Sequence, residues 1–232
     1  MHPTPRKKWH MRGRGTTLGE LRWPRTPEFL SAATRLQASA LGIILNAVWT
    51  GYDSFVLEVL SGVDLTQADA EVERSITQSL VPFIQRVIDP RAPFYVQHAF
   101  RENETRLAPP AQAPEYDMAF VLWANMRIAW PLEAKVLRTD RAIGAYIRDI
   151  KEQFLTCRYA PFSRSGGMVG YLIRGSALVA FAEIENALHL RLVLEPLVPS
   201  RDHRRSNHTR IGPTGKPYPR QFTCHHFMLS MF

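Results

Sequence analysis

EYDMAFVLWANMRIAWPLEAKVL, residues 115–137, decides the fold. Glu115–Ala124 is rich in aromatic and aliphatic residues and ends in the continuous apolar run Met118–Trp123, which predicts a buried strand. Asn125-Met126 supplies a turn. Ile128–Leu137 then predicts a second strand that carries two charges, Glu133 and Lys135. On a strand, positions two apart share a face. Glu133 and Lys135 therefore project together, while Leu132, Ala134 and Val136 project oppositely. A charge inside an apolar strand run is costly without a partner. Lysine is also scarce in this chain, five against 24 arginines, so its presence here invites a chemical reason. If the two strands are antiparallel neighbours, Asp117 and Glu133 converge at one end of the sheet. Two carboxylates that close bind a hard divalent cation through oxygen, and an adjacent ammonium can orient a water or stabilise phosphoryl charge.

Working outward, Phe94–Ala99 reads as a preceding strand, and Arg106–Pro114 as a Pro- and Ala-rich loop. Upstream lies a helix starting near Thr66 as N-cap and ending at Asp89-Pro90, with Val72, Ile76, Leu80, Phe83, Ile84 and Val87 as its stripe and Pro82 as a possible kink. Taking Val72 as zero and about 100° per residue, Glu73 falls at about 100°, inside the stripe, and Glu71 at about −100°, outside it. Glu73 is therefore the helix acid expected to face the core. Pro27 to about Trp49 predicts an amphipathic helix, with a short helix or turn at Ser54–Leu60. Downstream, Asp140 is expected to cap a helix with the stripe Ile143, Tyr146, Ile147, Ile150 and Phe154. Gly166-Gly167 reads as a turn before a strand at Met168–Ile173. Ser176 caps a helix to about Leu188, Leu190–Leu194 is a short strand, and Phe222–Met231 is the last strand. The expected class is α/β (α+β), a mixed central sheet flanked by helices.

A second acid-x-Lys triplet, Asp149-Ile150-Lys151, lies on the predicted 140–154 helix. Positions two apart are about 200° apart round a helix axis, so its charges diverge and it is set aside.

Pro114-Glu115-Tyr116-Asp117 and Glu133-Ala134-Lys135, with the segment order from about Leu65 to Leu188, resemble the PD-(D/E)xK nuclease superfamily and its restriction-endonuclease-like fold. The likeness covers a little over half the chain; the proline does not directly precede the aspartate, as it does in the namesake pattern. The resemblance implies a restriction-endonuclease-like core and a metal-dependent nuclease acting on DNA, plausibly in prokaryotic defence against foreign DNA. Asp117 and Glu133 would ligate Mg²⁺ or Mn²⁺, with the Ala134 main-chain carbonyl as a further ligand and Glu73 as the helix acid. Lys135 would activate or position the attacking water. Nucleases of this size often need two active sites to cut both strands, which makes a homodimer one expected form. The alternative is a non-catalytic nucleic-acid-binding or scaffolding protein that keeps the fold.

Composition fits this picture. The chain has 232 residues, 45% of them hydrophobic, enough to bury roughly 70% of its unfolded surface without disulfide or metal staples. Two cysteines make no disulfide framework, and a reducing, cytoplasmic setting is the default. Met1–Gly15 is basic without a following apolar region, so no secretory signal is expected. Ala38–Trp49 reads as too short and too polar to span a bilayer, so no membrane is expected. The net charge of +8 is uneven. Residues 1–26 hold seven Lys/Arg against one acid, residues 201–220 six against one, and the remainder is net −3. A mobile arm at 1–26, a helical segment at 27–64 and a basic loop at 201–220 on the domain 65–232 are expected, the basic flanks meeting nucleic acid. Arg158, Arg164, Arg204, Arg205 and Arg210 are the candidate phosphate contacts. Cys224-His225-His226 with Cys157 are metal-ligand types without paired spacing. A strand would put Cys224 and His226 on one face and His225 on the other, so zinc is not expected.

Overall fold

The computed structural model describes residues 27–102, 104 and 113–232. The expected arm at 1–26 and most of the expected 106–114 loop lie outside them.

The sheet is built round its most apolar strands. Seven strands lie in the order β1-β2-β3-β4-β7-β6-β5, where β1 is Phe94–Arg101, β2 Glu115–Leu122, β3 Ala129–Leu137, β4 Ser165–Leu172, β5 Val193–Leu194, β6 His203–Thr209 and β7 Gln221–Ser230. β1, β2 and β3 are antiparallel neighbours, as the sequence predicts. β4 pairs in parallel with both β3 and β7. Parallel strands need cover on both faces, and every residue of β4 is buried. Gly166 and Gly167 are inside this strand, not in a turn before it. A Cβ at Gly167 would lie 2.4 Å from Leu132 Cδ2, so the glycine records close packing at the sheet centre.

Helices cover the two faces. α1 (Pro27–Glu58) and α2 (Asp69–Val87) pack on the face carrying Met118, Phe120, Trp130, Leu132 and Phe227. α3 (Gly144–Asp149), which continues as a π-helical turn at Ile150–Phe154, and α4 (Ala177–Leu188) pack on the face carrying Ala119, Val121, Met168 and Met228. This is a mixed α/β architecture with a seven-stranded mixed sheet between helices.

Several local expectations are corrected. α1 runs unbroken from Pro27 to Glu58 where two pieces were expected, because Gly51 is a helix–helix contact rather than a stop. A Cβ at Gly51 would sit 2.7 Å from the Ile84 backbone nitrogen. The longer helix includes Ala40–Glu58, a 19-residue segment long and apolar enough to cross a membrane by length and composition, of which 44% is buried here. Ile44, Val48 and Phe55 supply that buried face. Thr66 is not the α2 cap: its N–H and hydroxyl both donate to Asp64, and Ala68 takes the cap position without a side-chain bond. Pro82 is tolerated inside α2. Asp140 does not cap α3; its carboxylate accepts the Ser176 N–H at the start of α4. About a third of the expected basic loop, His203–Thr209, is a strand.

Candidate active site

The site forms where the sheet splits. The β2–β3 register ends at Met118↔Leu132, and the β1–β2 register skips from His98↔Met118 to Phe100↔Tyr116. Asp117 thus drops out of both ladders. Opposite it, Ala99 adopts φ 53°, a left-handed conformation that costs a non-glycine residue energy. Freed from the ladder, the Asp117 carboxylate accepts the Ala134 N–H at 2.7 Å, satisfying a backbone donor that the split leaves without a strand partner.

β3 places the next two groups. Trp130, Leu132, Ala134 and Val136 face the α1/α2 core, so alternation turns Glu133 and Lys135 the other way. The Lys135 ammonium then becomes the hub of four carboxylates. Its Nζ lies 2.9 Å from Glu133 Oε1, 3.3 Å from Glu73 Oε1, 3.3 Å from Asp149 Oδ2 and 3.9 Å from Asp117 Oδ2. It also donates to the Ala134 carbonyl. Glu73 arrives from α2, whose start is tied to the end of β3 by Arg138. That guanidinium donates to Asp69 and to the carbonyls of Leu65 and Gln67. Glu71 points away and pairs with Arg74 on the surface.

Asp149 is the residue that sequence reasoning missed. The charges of the set-aside triplet do diverge: Lys151 donates to the Ala187 carbonyl, while Asp149 faces Lys135. Asp149 ends the α-helical part of α3, immediately before the π turn, a feature common at functional sites. The signal lay in the helical wheel applied to Glu73: Asp149 falls about 60° from Tyr146, at the edge of the α3 stripe.

One ammonium is outnumbered here by four acids, of which Glu133 is buried and Glu73, Asp117 and Asp149 are half-buried. Burial, then Asp117, pushes Glu133 well above the usual carboxylate range. Asp117 is also raised by burial, against the pull of Lys135. Burial pulls Lys135 down, but Glu133, Asp117 and Glu73 outweigh it and hold the ammonium above the ordinary lysine range. Glu133 Oε2 is buried without a hydrogen-bond partner, an orphaned acceptor that a cation would satisfy. As the side chains stand, no three of His, Cys, Asp or Glu among the described residues form a ready coordination group; here the Lys135 ammonium fills the space between the acids. In donor chemistry the set fits a hard divalent cation: carboxylate oxygens, a carbonyl and an unsatisfied buried oxygen.

Glu73 makes this testable. Burial raises it to about 7 from an ordinary 4.5, against the lowering effect of Lys135. A carboxyl whose folded value is raised contributes stability that is complete below about 4.5 and lost as pH rises through about 7. Metal-free protein should therefore melt at a higher temperature at pH 5 than at pH 8, with roughly 1–3 kcal/mol coming from this group. Glu73→Gln should flatten the dependence, and parallel pH profiles for variant and parent would remove Glu73 from the account.

The remaining candidates scatter. Arg158 is half-buried and Arg164 exposed on the loop after the π turn. Arg204 lies over the Phe181 ring and Arg205 is 3.9 Å from buried Glu195. Arg210, a candidate phosphate contact on the expected basic loop, is only 2% exposed. The histidines divide between the two sheet faces: His225 meets His203, while His226 meets Tyr146 and Ser206. Burial keeps them neutral, with His208 lowered to about 4 and His225 to about 3.

Comparison with protein-family models, with curated proteins and with solved structures finds no match.

Proposed function

We propose that the protein is a metal-dependent nuclease that hydrolyses phosphodiester bonds in DNA, built on a restriction-endonuclease-like core. The observation that carries the reading is the set of four carboxylates round Lys135, with the orphaned Glu133 oxygen among them. The order α2, β1, β2, β3, α3, β4 agrees with the core that the resemblance implies.

Asp117, Glu133, Glu73 and the Ala134 carbonyl would hold Mg²⁺ or Mn²⁺. Such an ion, when bound, supplies positive charge to phosphoryl oxygens and acidifies water. The chain's own groups do the rest. Asp117 is fixed by the Ala134 N–H, so its free oxygen is oriented in advance. Lys135, kept protonated by its acid neighbours, carries N–H donors for a non-bridging phosphoryl oxygen and steadies charge that grows in the transition state. Asp149 holds that ammonium from the α3 side when other carboxylates turn to a cation. The net −3 core does not attract a polyanion; the basic flanks do.

The test is a cleavage panel of plasmid, linear duplex, single-stranded DNA and RNA with Mg²⁺, Mn²⁺ or EDTA. DNA cleavage with either metal and none in EDTA is expected. Calorimetry should show weaker Mg²⁺ binding in Asp117→Asn and Glu133→Gln, because an amide oxygen carries no full charge for a hard cation. Binding of DNA without cleavage under any metal would assign the non-catalytic alternative.

A further inference from the structure

The β6–β7 connection folds back on the protein instead of extending into solvent. Ile211 N–H donates to the Leu155 carbonyl. A turn at 213–216 closes with Lys216 N–H on the Pro213 carbonyl and Gly215 at φ +75°, a conformation glycine adopts without strain. The connection walls a half-open pocket of about 190 Å³ over Cys157, room for several waters and so for one tetrahedral oxyanion.

Its lining is one-sided in charge. Arg210, Lys216 and Arg220 line it, and no Asp or Glu does. Glu104 accepts from the Tyr218 hydroxyl but is not part of the wall. Arg210 is the unusual member. Its guanidinium donates to the carbonyls of Ala160, Ser163 and Pro219 and lies 4.7 Å over the Phe222 ring. No carboxylate among the described residues pairs with it, nor with Lys216 or Arg220. Carbonyls and a ring orient a guanidinium without neutralising it, and a buried charge without a counter-ion is costly. A dianionic oxyanion in this cavity would supply the missing charge, with Lys216 and Arg220 completing its shell.

We propose that this cavity binds a phosphate monoester, the terminal phosphate of a nucleic-acid strand. A backbone diester has chain on both sides and a single charge; a terminal monoester presents two charges and one attachment, which suits a walled pocket. The strand follows from the function proposed above, whereas the phosphate follows from the cavity alone.

The experiment is anisotropy in EDTA with oligonucleotides of one sequence ending in a 5′-phosphate, a 3′-phosphate or hydroxyls only, with inorganic phosphate as competitor. A terminal phosphate should tighten binding about tenfold, the worth of one charge-assisted contact. Lys216→Ala or Arg220→Ala should erase most of that gain, on top of the smaller loss that removing one flank charge imposes on phosphorylated and hydroxyl-ended strands alike. Inorganic phosphate should compete only for the extra affinity. Equal binding of phosphorylated and hydroxyl ends overturns the proposal. So does protection of the fold by inorganic phosphate without any preference for phosphorylated ends, which would make free phosphate the ligand. Because no metal is present, a failed cleavage panel with the end preference intact counts against the nuclease alone. Cleavage without end preference counts against this pocket alone.

Discussion

Lys135→Ala should lower nucleolytic turnover by about 10²–10³-fold, the usual loss for one electrostatic donor to a developing oxyanion, while Mg²⁺ binding persists. The protonated amine offers no lone pair to a cation, so its removal affects the transition state rather than metal affinity. The same substitution has a second, opposite signature in metal-free protein. Removing the hub leaves buried Glu133 and half-buried Glu73, Asp117 and Asp149 without their cation, and breaking a buried ion pair typically costs about 3–5 kcal/mol. The variant should therefore melt well below the parent in EDTA and recover much of the difference with Mg²⁺, which replaces the lost positive charge. Lys151→Ala, whose amine reaches only the Ala187 carbonyl, should be nearly silent in both assays. Asp149→Asn should fall between the two. Full activity in Lys135→Ala would falsify the mechanism, and equal losses at Lys135 and Lys151 would mean that general charge had been measured.

Gly51→Leu should destabilise the protein by about 3 kcal/mol or more. A side chain at this position meets Ile84 N at 2.7 Å and Ile84 Cα at 2.8 Å. Those atoms belong to a helix backbone and cannot rotate aside, so α1 and α2 must separate. Gly51→Ala should cost less, because only one methyl must be accommodated while the helix propensity lost at glycine, about 1 kcal/mol, is recovered. The displacement should also reach the site, since α2 carries Glu73. Chemical denaturation reads the first effect and Mg²⁺ calorimetry the second. A Gly51→Leu variant with parental stability would show that the two helices do not meet there.

Legibility of the sequence followed the source of each signal. β2 and β3 are readable because their buried positions other than Glu133 are apolar, and alternation then puts Glu133 and Lys135 on one face. Glu73 was readable because α2 keeps a regular helical period. β6 was not: its buried positions are His203, Ser206 and His208, polar residues that satisfy one another and neighbouring groups. A buried strand made of such residues carries no hydrophobic alternation and looks like a basic loop. Gly166-Gly167 reads as a turn from sequence because glycine marks both chain breaks and close packing, and only the partner across the contact distinguishes them. Asp149 escaped because it was weighed only together with Lys151. The split at Asp117 depends on the conformation of Ala99 across the ladder, which no pattern within β2 encodes.

The flip at Ala99 has a consequence for the protein's behaviour in concentrated solution. β1 is an outer strand of the sheet, and among the described residues no further strand pairs with its far side, where the Gln85 side chain accepts the Val96 N–H. The rest of the edge in Phe94–Arg101 could template strand addition by another chain and so seed aggregation. A left-handed residue near the end of that edge misaligns its donors and acceptors, and Arg101 adds a charge beside the irregularity. An incoming strand could keep register only over the stretch before Ala99. The distortion that releases Asp117 from the ladder thus also shortens the edge on which unwanted polymerisation would begin.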